Sequence, residues 1–517
     1  MNDSSNVSES SPRVRGWSTR ILILSIAGIL FLTLMPFKFT GHADLPAGRP
    51  AVLLGGWQKD ADGFNAFLNV LLFVPFGFGI GEISRERGKS WAATLGWALA
   101  AGAIFSYAIE FAQLYIPMRD SGWQDVVTNS TGSVAGFVLF EICGRRLLSL
   151  LNEGEKALGE LMASPRAIIV ITAYFALWVG VSIPLQMRTR LSNWNAESLL
   201  VIGNDANGGP STAWKGRIFR VQVWDRPMRA PIARGLSNGE SAGGTPGLLA
   251  DYDFSKPEKL EDQRRFLPGL SWTPAAPGPA RGGDRDYLYL DGKSWVATKS
   301  AATNLVTSLQ KTNQFAIRVV CNPAETIGSN SRIVGIWERS GPLELRIRQE
   351  DTELIIFFRN PLTVTHSDLV WHFPDTFKIG QARDILFSYD GSNASLYLDG
   401  KPVNRSYHLG PGVALAHTFR VVRTQELKGY DVIFYFMIFF PGGILEGIAA
   451  RNGLRQWRHA TRVLAAVLFV VLPALLLEAV LVLVSGRVVS PAYVLLSIAL
   501  IVGGSLWINA DRQYATH

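Results

Sequence analysis

The sequence predicts a polytopic α-helical membrane bundle of about eight spans, interrupted by one inserted antiparallel β-sandwich. Apolar residues concentrate in two blocks, roughly 20–185 and 430–510. Between the blocks lies a polar, Gly- and Asn-rich stretch in which short β-rich runs alternate with turn residues. Hydrophobic residues make up 48% of the 517 and charged ones 18%, which is apolar for a soluble protein and polar for a bare bundle.

A span needs about 20 mostly apolar residues. Stretches of that kind fall near 20–38, 64–83, 91–115, 125–143, 166–185, 430–449, 462–485 and 491–509. They divide the chain into a tail (1–19), a five-span domain (20–185), an insert (190–429), a three-span segment (430–509) and a second tail (510–517). The first run follows Arg13, Arg15 and Arg20 as a signal sequence would, but it has no clear small-x-small cleavage site and reads as an uncleaved anchor. The basic loops are Arg85–Lys89, Arg145 and Arg146 with Lys156 and Arg166, and Arg451–Arg462. All fall on one side when five spans precede the insert, which puts both tails in the cytoplasm and the insert outside. A buried strand at 430–449 would instead leave the last loop outside. The formal charge of +8 therefore reads as positive-inside bias, and no basic face interleaved with aromatics speaks for nucleic acid. Cys143 and Cys321 are too few for a disulfide framework.

Within the insert, RIFRVQVW, QFAIRVV, LELRIRQ, ELIIFF, DILFSYD and ASLYLDG have the length and spacing of sandwich strands. Asp399-Gly400 after Leu396, Tyr397 and Leu398, and Asp291-Gly292 after Leu288 and Leu290, are hairpin signals. Asp390, Asn393 and Asp399 have oxygen donors suited to calcium, yet such residues in turns usually satisfy backbone. No metal and no cofactor is assigned.

Chemistry-bearing residues collect at the outer ends of the second to fourth spans. Asp62, Asn65 and Asn69 open one span, Glu110 and Gln113 close the next, and Arg119, Asp125 and Asn129 follow. Ionisable groups near a span must pair or line a hydrated cavity. Glu110 and Gln113 share a helical face, as do Asp125 and Asn129. Two readings stand: a polar clamp of Glu110, Arg119 and Asp125 between helices, or a pocket for a polar head group.

The runs NVLLFVPFGFGIG and EFAQLYIPMRDSGWQDVVTNSTGSVAGF resemble the VanZ-like membrane family over about residues 20–145. The resemblance implies Asn69, Pro75, Gly77, Glu110, Gln113, Arg119, Asp125, Asn129, Gly132 and Gly136 as characteristic positions, with Pro75 and the glycines serving helix packing. It also implies a bacterial plasma-membrane setting, a periplasmic insert and a link to glycopeptide (teicoplanin) resistance. In the insert, LLADYDFSK, YLYLDGKSWV and DILFSYDGSNASLYLDGKPV resemble laminin-G or concanavalin-A-like jelly-roll sandwiches. Hydrolases of that fold need two acids flanking a sugar bond. ELRIRQE has basic residues between its acids, so carbohydrate binding is expected rather than cleavage. The segment LLVIGNDANGGPSTAWKGRIFRVQVWDRPM resembles the part that closes such a sandwich, yet precedes the other strands. Either the sandwich is permuted or its termini meet at the membrane.

The C-terminal block echoes the first, FMIFFPGGI against LLFVPFGFGI, and Glu478 and Arg487 keep the spacing of Glu110 and Arg119. It has no counterpart of Gln113, Asp125 or Asn129, and chance similarity of apolar helices is the alternative. The expected partners are membrane lipid and a cell-surface polysaccharide or lipid-linked sugar, with Arg119 on an anionic group, the other polar residues on hydroxyls and Trp123 against a sugar ring. The competing expectations are an enzyme using Glu110 or Asp125 as general base, for which no nucleophile elbow, zinc motif or phosphate loop is present, and a purely structural or adhesive anchor.

Overall fold

The computed structural model describes residues 12–35, 37, 39, 63–116, 122–163, 166–256, 260–273, 286–326, 330–338, 341, 343–363, 370–419, 427–452 and 467–509. Two compact units result: Met1–Ile169 with Leu445–Trp457 and Ser505–His517, and Val170–Ile444 with Arg458–Gly504.

The first unit is helical: α1 (Pro12–Leu34), α2 (Gly63–Glu86), α3 (Trp91–Gln113), α4 (Trp123–Leu139) and α5 (Arg145–Met162), with one π-helical turn at Phe140–Gly144 between the last two. Ser90 caps α3 by accepting the Ala93 N–H at 3.3 Å. The seam between α2 and α4 is built from glycine. A Cβ on Gly77 would collide with the Ser133 carbonyl, one on Gly132 with Val70 O, and one on Gly136 with Val74 O. Without a hydrophobic drive between helices in lipid, such backbone-to-backbone approach is what holds spans together. Pro75 lies inside α2, and Gly77, Gly132 and Gly136 lie in the seam.

Charged groups gather at the opposite end from the polar cluster of the site. Arg85 at the end of α2 meets Glu141 at 2.9 Å, and Glu155 of α5 receives Arg20 at 3.7 Å and Arg451 at 3.3 Å. Arg20 also lies 5.3 Å from the Trp17 ring centre and 5.1 Å from that of Trp507. Segment 145–162, read from sequence as part of a basic connection, is a helix instead. Leu148, Leu151, Leu158 and Met162 recur on one side, with Glu155 among them, while Arg146, Glu153, Lys156 and Glu160 take the other, an amphipathic pattern that charge counting alone hides. The first helix starts at Pro12, earlier than the expected tail boundary.

The second unit holds the sandwich with α7 (Ala230–Ser237), α8 (Thr303–Thr312), α9 (Pro411–Thr418) and α11 (Leu472–Ser485), and most of α6 (Arg166–Met187), α10 (Leu427–Asn452) and α12 (Pro491–Asn509), whose remaining turns belong to the first. Residues 430–449 are therefore helix and not a strand of the insert. Among the described residues seven helices are long and apolar enough to cross a membrane: α1, α2, α3, α6, α10, α11 with its preceding turn, and α12.

The strands are β1 (Leu199–Ile202), β2 (Lys215–Trp224), β3 (Leu248–Asp253), β4 (Leu270–Thr273), β5 (Leu288–Asp291), β6 (Trp295–Thr298), β7 (Phe315–Pro323), β8 (Ser331–Trp337), β9 (Leu343–Glu350), β10 (Glu353–Phe358), β11 (Trp371–Phe373), β12 (Arg383–Tyr389), β13 (Asn393–Leu398) and β14 (Lys401–His408). One antiparallel sheet runs β11-β10-β9-β8-β1-β6-β4 and the other β14-β13-β12-β7-β2-β3, with β5 also on β2. Phe315, Phe358, Trp371, Phe387 and Tyr389 fill the space between them, each 1% exposed or less. The early strands β1 and β2 sit inside their sheets, so RIFRVQVW is an interior strand beside β7 and not an addition to the fold.

The Asp399-Gly400 signal gives the expected hairpin, pairing Leu398 with Lys401. Asp291-Gly292 does not: β5 pairs with β2 in one sheet and β6 with β1 in the other. The Asp291 carboxylate accepts from Lys293 N at 2.8 Å and Ser294 N at 2.9 Å, and Gly292 has φ +79°, so the chain turns a corner between sheets. Burial works to raise the Asp291 pKa, but these bonds outweigh it and hold it below the usual value.

Candidate functional site

The helices run so that the start of α2, the end of α3 and the start of α4 come together. Asn69 Nδ2 donates to Asp125 Oδ1 at 2.8 Å, and one turn deeper Asn129 Nδ2 donates to Ser106 Oγ at 2.9 Å. Glu110 Oε2 accepts the Gly122 N–H at 2.9 Å. Gly122 is the N-cap of α4, so this carboxylate sits at the positive end of a helix dipole. Gln113 Nε2 donates to the Thr33 carbonyl at 2.9 Å and ties α3 to α1.

The cluster is dry for its polarity, with Glu110 2% exposed and Asn129 3%. Two of its acceptors, Gln113 Oε1 and Asn129 Oδ1, are buried and have no partner among the described residues. Asn65 lies exposed on the first turn of α2, and Trp123 is exposed at the start of α4. Arg119 and Asp62 lie outside the described residues.

Sequence reasoning brought together Asn69, Glu110, Gln113, Asp125 and Asn129 and missed Ser106, Thr33 and Gly122. Ser106 stands four residues before Glu110, a helical spacing that marks it as a neighbour of the acid. The other two contribute backbone atoms, which residue type cannot announce.

The C-terminal helices repeat the frame. Glu478 Oε1 accepts Ser490 N–H at 2.6 Å across the same 12 residues that separate Glu110 from Gly122. A Cβ on Gly443 would strike Ile501 O, and one on Gly504 would strike Phe440 O, as Gly77 and Gly136 do in the first set. The echo seen in the sequence is thus a repeated three-helix geometry, α10, α11 and α12 matching α2, α3 and α4.

In the sandwich, Asp390 accepts from Ser392 N at 2.9 Å and from Asn393 N at 2.6 Å, while Asp399 pairs with Arg383. The Asp390 oxygens close a turn, and those of Asp399 bond to Arg383 and to Asp384 N on β12. Among the described residues, no group of three or more His, Cys, Asp or Glu is arranged to hold a metal ion.

A set of membrane-type helices carrying a buried, acceptor-rich cluster at one end, joined to an antiparallel β-sheet domain, defines a multi-pass membrane protein with a separate folded module. Residues 4–144 match the family model described as VanZ/LLP1, and every residue of the cluster lies in that VanZ-like segment, which covers none of the sandwich. No curated protein and no solved structure matches the chain.

Proposed function

We propose that the VanZ-like cluster binds the polar head group of a lipid-linked sugar or related envelope glycan at the outer membrane surface. In this reading α4 is an eighth span, both tails are cytoplasmic, and the sandwich is a periplasmic, concanavalin-A-like module that gathers the same glycan. The positive-inside rule supports the orientation, since Arg20 and Arg451 on Glu155, and Arg85 on Glu141, lie at the end away from the cluster.

The observation that carries the proposal is the pair of buried oxygens, Gln113 Oε1 and Asn129 Oδ1, left without donors. Each such acceptor costs about 1–3 kcal/mol. Ligand hydroxyls would supply the missing donors, and Asp125 and Glu110 stand beside them as further acceptors. Native mass spectrometry of protein in mild detergent tests this, comparing wild type with Gln113→Leu and Asn129→Leu. A glycolipid retained by wild type and lost from both variants is expected; equal retention, or no bound species in any form, would discard the binding site.

The second reading is the interhelical clamp, favoured by the Asn69–Asp125 and Glu110–Gly122 bonds themselves. It predicts that the leucine variants melt lower than wild type, because each removes a bond that ties helices together, Gln113 to Thr33 or Asn129 to Ser106, while no ligand is found in any of them.

A further inference from the structure

The outer face of the sheet containing β8, β9 and β10 carries three arginines in adjacent positions. Arg332 and Arg348 are directly opposite across β8 and β9, and Arg346 lies opposite Gly335 one step along. Like charges placed opposite each other on neighbouring strands destabilise a sheet. Arg332 is compensated by Asp205 at 2.7 Å, and Arg348 by Glu350 at 3.0 Å and by Asn330 Oδ1 at 2.6 Å. Arg346 makes no hydrogen bond or ion pair among the described residues, and its Nε is buried without an acceptor. Burial first, and then Arg348 and Arg332, pull its pKa down to about 10.

The other unmet atoms around it are mostly donors, with Asp205 Oδ1, beside Arg332, as a buried acceptor among them. Arg348 Nε and Trp337 Nε1 are buried donors without acceptors. Gly335 has no side chain of its own beside Arg346, and the Trp337 indole lies over it, 2.7 Å from where a Cβ would stand. Phe357 flanks Arg346 on the far side, on β10. A ligand that fits must therefore bring several oxygen acceptors, at least one of them ionised, and an apolar face for the ring. Planar guanidinium groups are suited to carboxylate, sulfate or phosphate oxygens. Adjacent strands repeat at about 4.8 Å, a spacing along which an extended chain can present successive groups.

We propose that this face binds an acidic polysaccharide, with Arg346 gripping an oxyanion of the chain and Arg332 and Arg348 stabilising it from the neighbouring row. The site is independent of the helical cluster and does not require that the cluster bind anything.

The test uses the full chain in phosphatidylcholine nanodiscs, titrated calorimetrically with oligogalacturonate, with dextran sulfate and, as a neutral control, with dextran. Arg346→Gln should weaken acidic-polymer binding by about 10- to 100-fold, the range for losing one charged hydrogen-bonding partner. Its melting temperature should stay equal or rise, because repulsion with Arg332 and Arg348 is relieved. Arg346→Lys should keep part of the affinity, retaining charge without the fork. Unchanged affinity in Arg346→Gln, equal binding of dextran, or a lowered melting temperature in that variant overturns the proposal. Absence of polymer binding together with Arg346-dependent capture of phosphatidylglycerol nanodiscs also overturns it, and assigns the oxyanion to lipid.

Discussion

The two three-helix sets share a frame and differ in what fills it. Both close a helix pair by glycine against a carbonyl, Gly77 on Ser133 and Gly136 on Val74 in one, Gly443 on Ile501 and Gly504 on Phe440 in the other. Both anchor the third helix by a glutamate accepting its first N–H. Where the first set has the Asn69–Asp125 hydrogen bond, the second has Tyr435 stacked on Tyr493, ring centres 4.7 Å apart. The positions of Ser106, Gln113 and Asn129 are taken by Ala474, Leu481 and Ser497, and the Ser497 hydroxyl bonds its own helix at Tyr493 O. What the sets have in common is therefore architecture, and the polar residues confined to the first are the part that architecture does not require.

The largest effect that could break this comparison comes from the seam. Gly136→Val and Gly504→Val each drive a side chain into a facing backbone carbonyl, so neither variant should give monodisperse protein in size-exclusion chromatography. A normal Gly504→Val would show that the second set does not pack like the first. Next comes Glu478→Leu, which strands the buried Arg487 guanidinium that Glu478 now holds and leaves Ser490 N without its acceptor. Removing one member of a buried ion pair costs about 3–5 kcal/mol, and the thermal midpoint of the full chain should fall accordingly.

A third measurement separates bundle from sandwich. Burial, only partly offset by Asn195 N–H and Arg359, raises the Glu344 pKa to about 7 from 4.5. A carboxyl raised in the folded state adds stability that is complete below about 4.5 and disappears as pH rises through about 7. That window is worth up to about 3 kcal/mol. Sandwich unfolding by urea should become easier between these limits, and Glu344→Gln should flatten the trend; an unchanged trend in the variant would assign it elsewhere. The smallest effect on stability belongs to the double variant Asn69→Leu with Asp125→Leu. Replacing both partners of one hydrogen bond by apolar groups is close to neutral, so the melting temperature should move little while any co-purifying head group is lost. A large drop would make that bond part of the common frame.

Much of this was legible beforehand because it depends on spacing. The order Asn69, Glu110, Gln113, Asp125, Asn129 puts polar groups at one end of consecutive antiparallel helices whatever the details of packing. The named β-runs became strands for a similar reason, their alternation and turn residues agreeing with one another. Harder to read were features whose meaning lies in a partner. Asp291-Gly292 has the same local chemistry as Asp399-Gly400, yet one turns between sheets and the other within one, because the next segment pairs elsewhere. The amphipathic α5 was obscured by its basic residues.

Local sequence by itself determined the apolar spans, the strands, the loops rich in arginine and the positions of the polar side chains along each helix, since all of these follow from hydropathy and periodicity over a few turns of chain. Only the tertiary structure decided that Glu110 would grip a backbone N–H, that Asn129 would face Ser106, and that Arg346 would stand opposite Gly335 beside the facing pair Arg332 and Arg348. Those outcomes depend on which distant backbone comes within about 3 Å of which side chain, and that distance is set by packing rather than by any property of the residues taken in order.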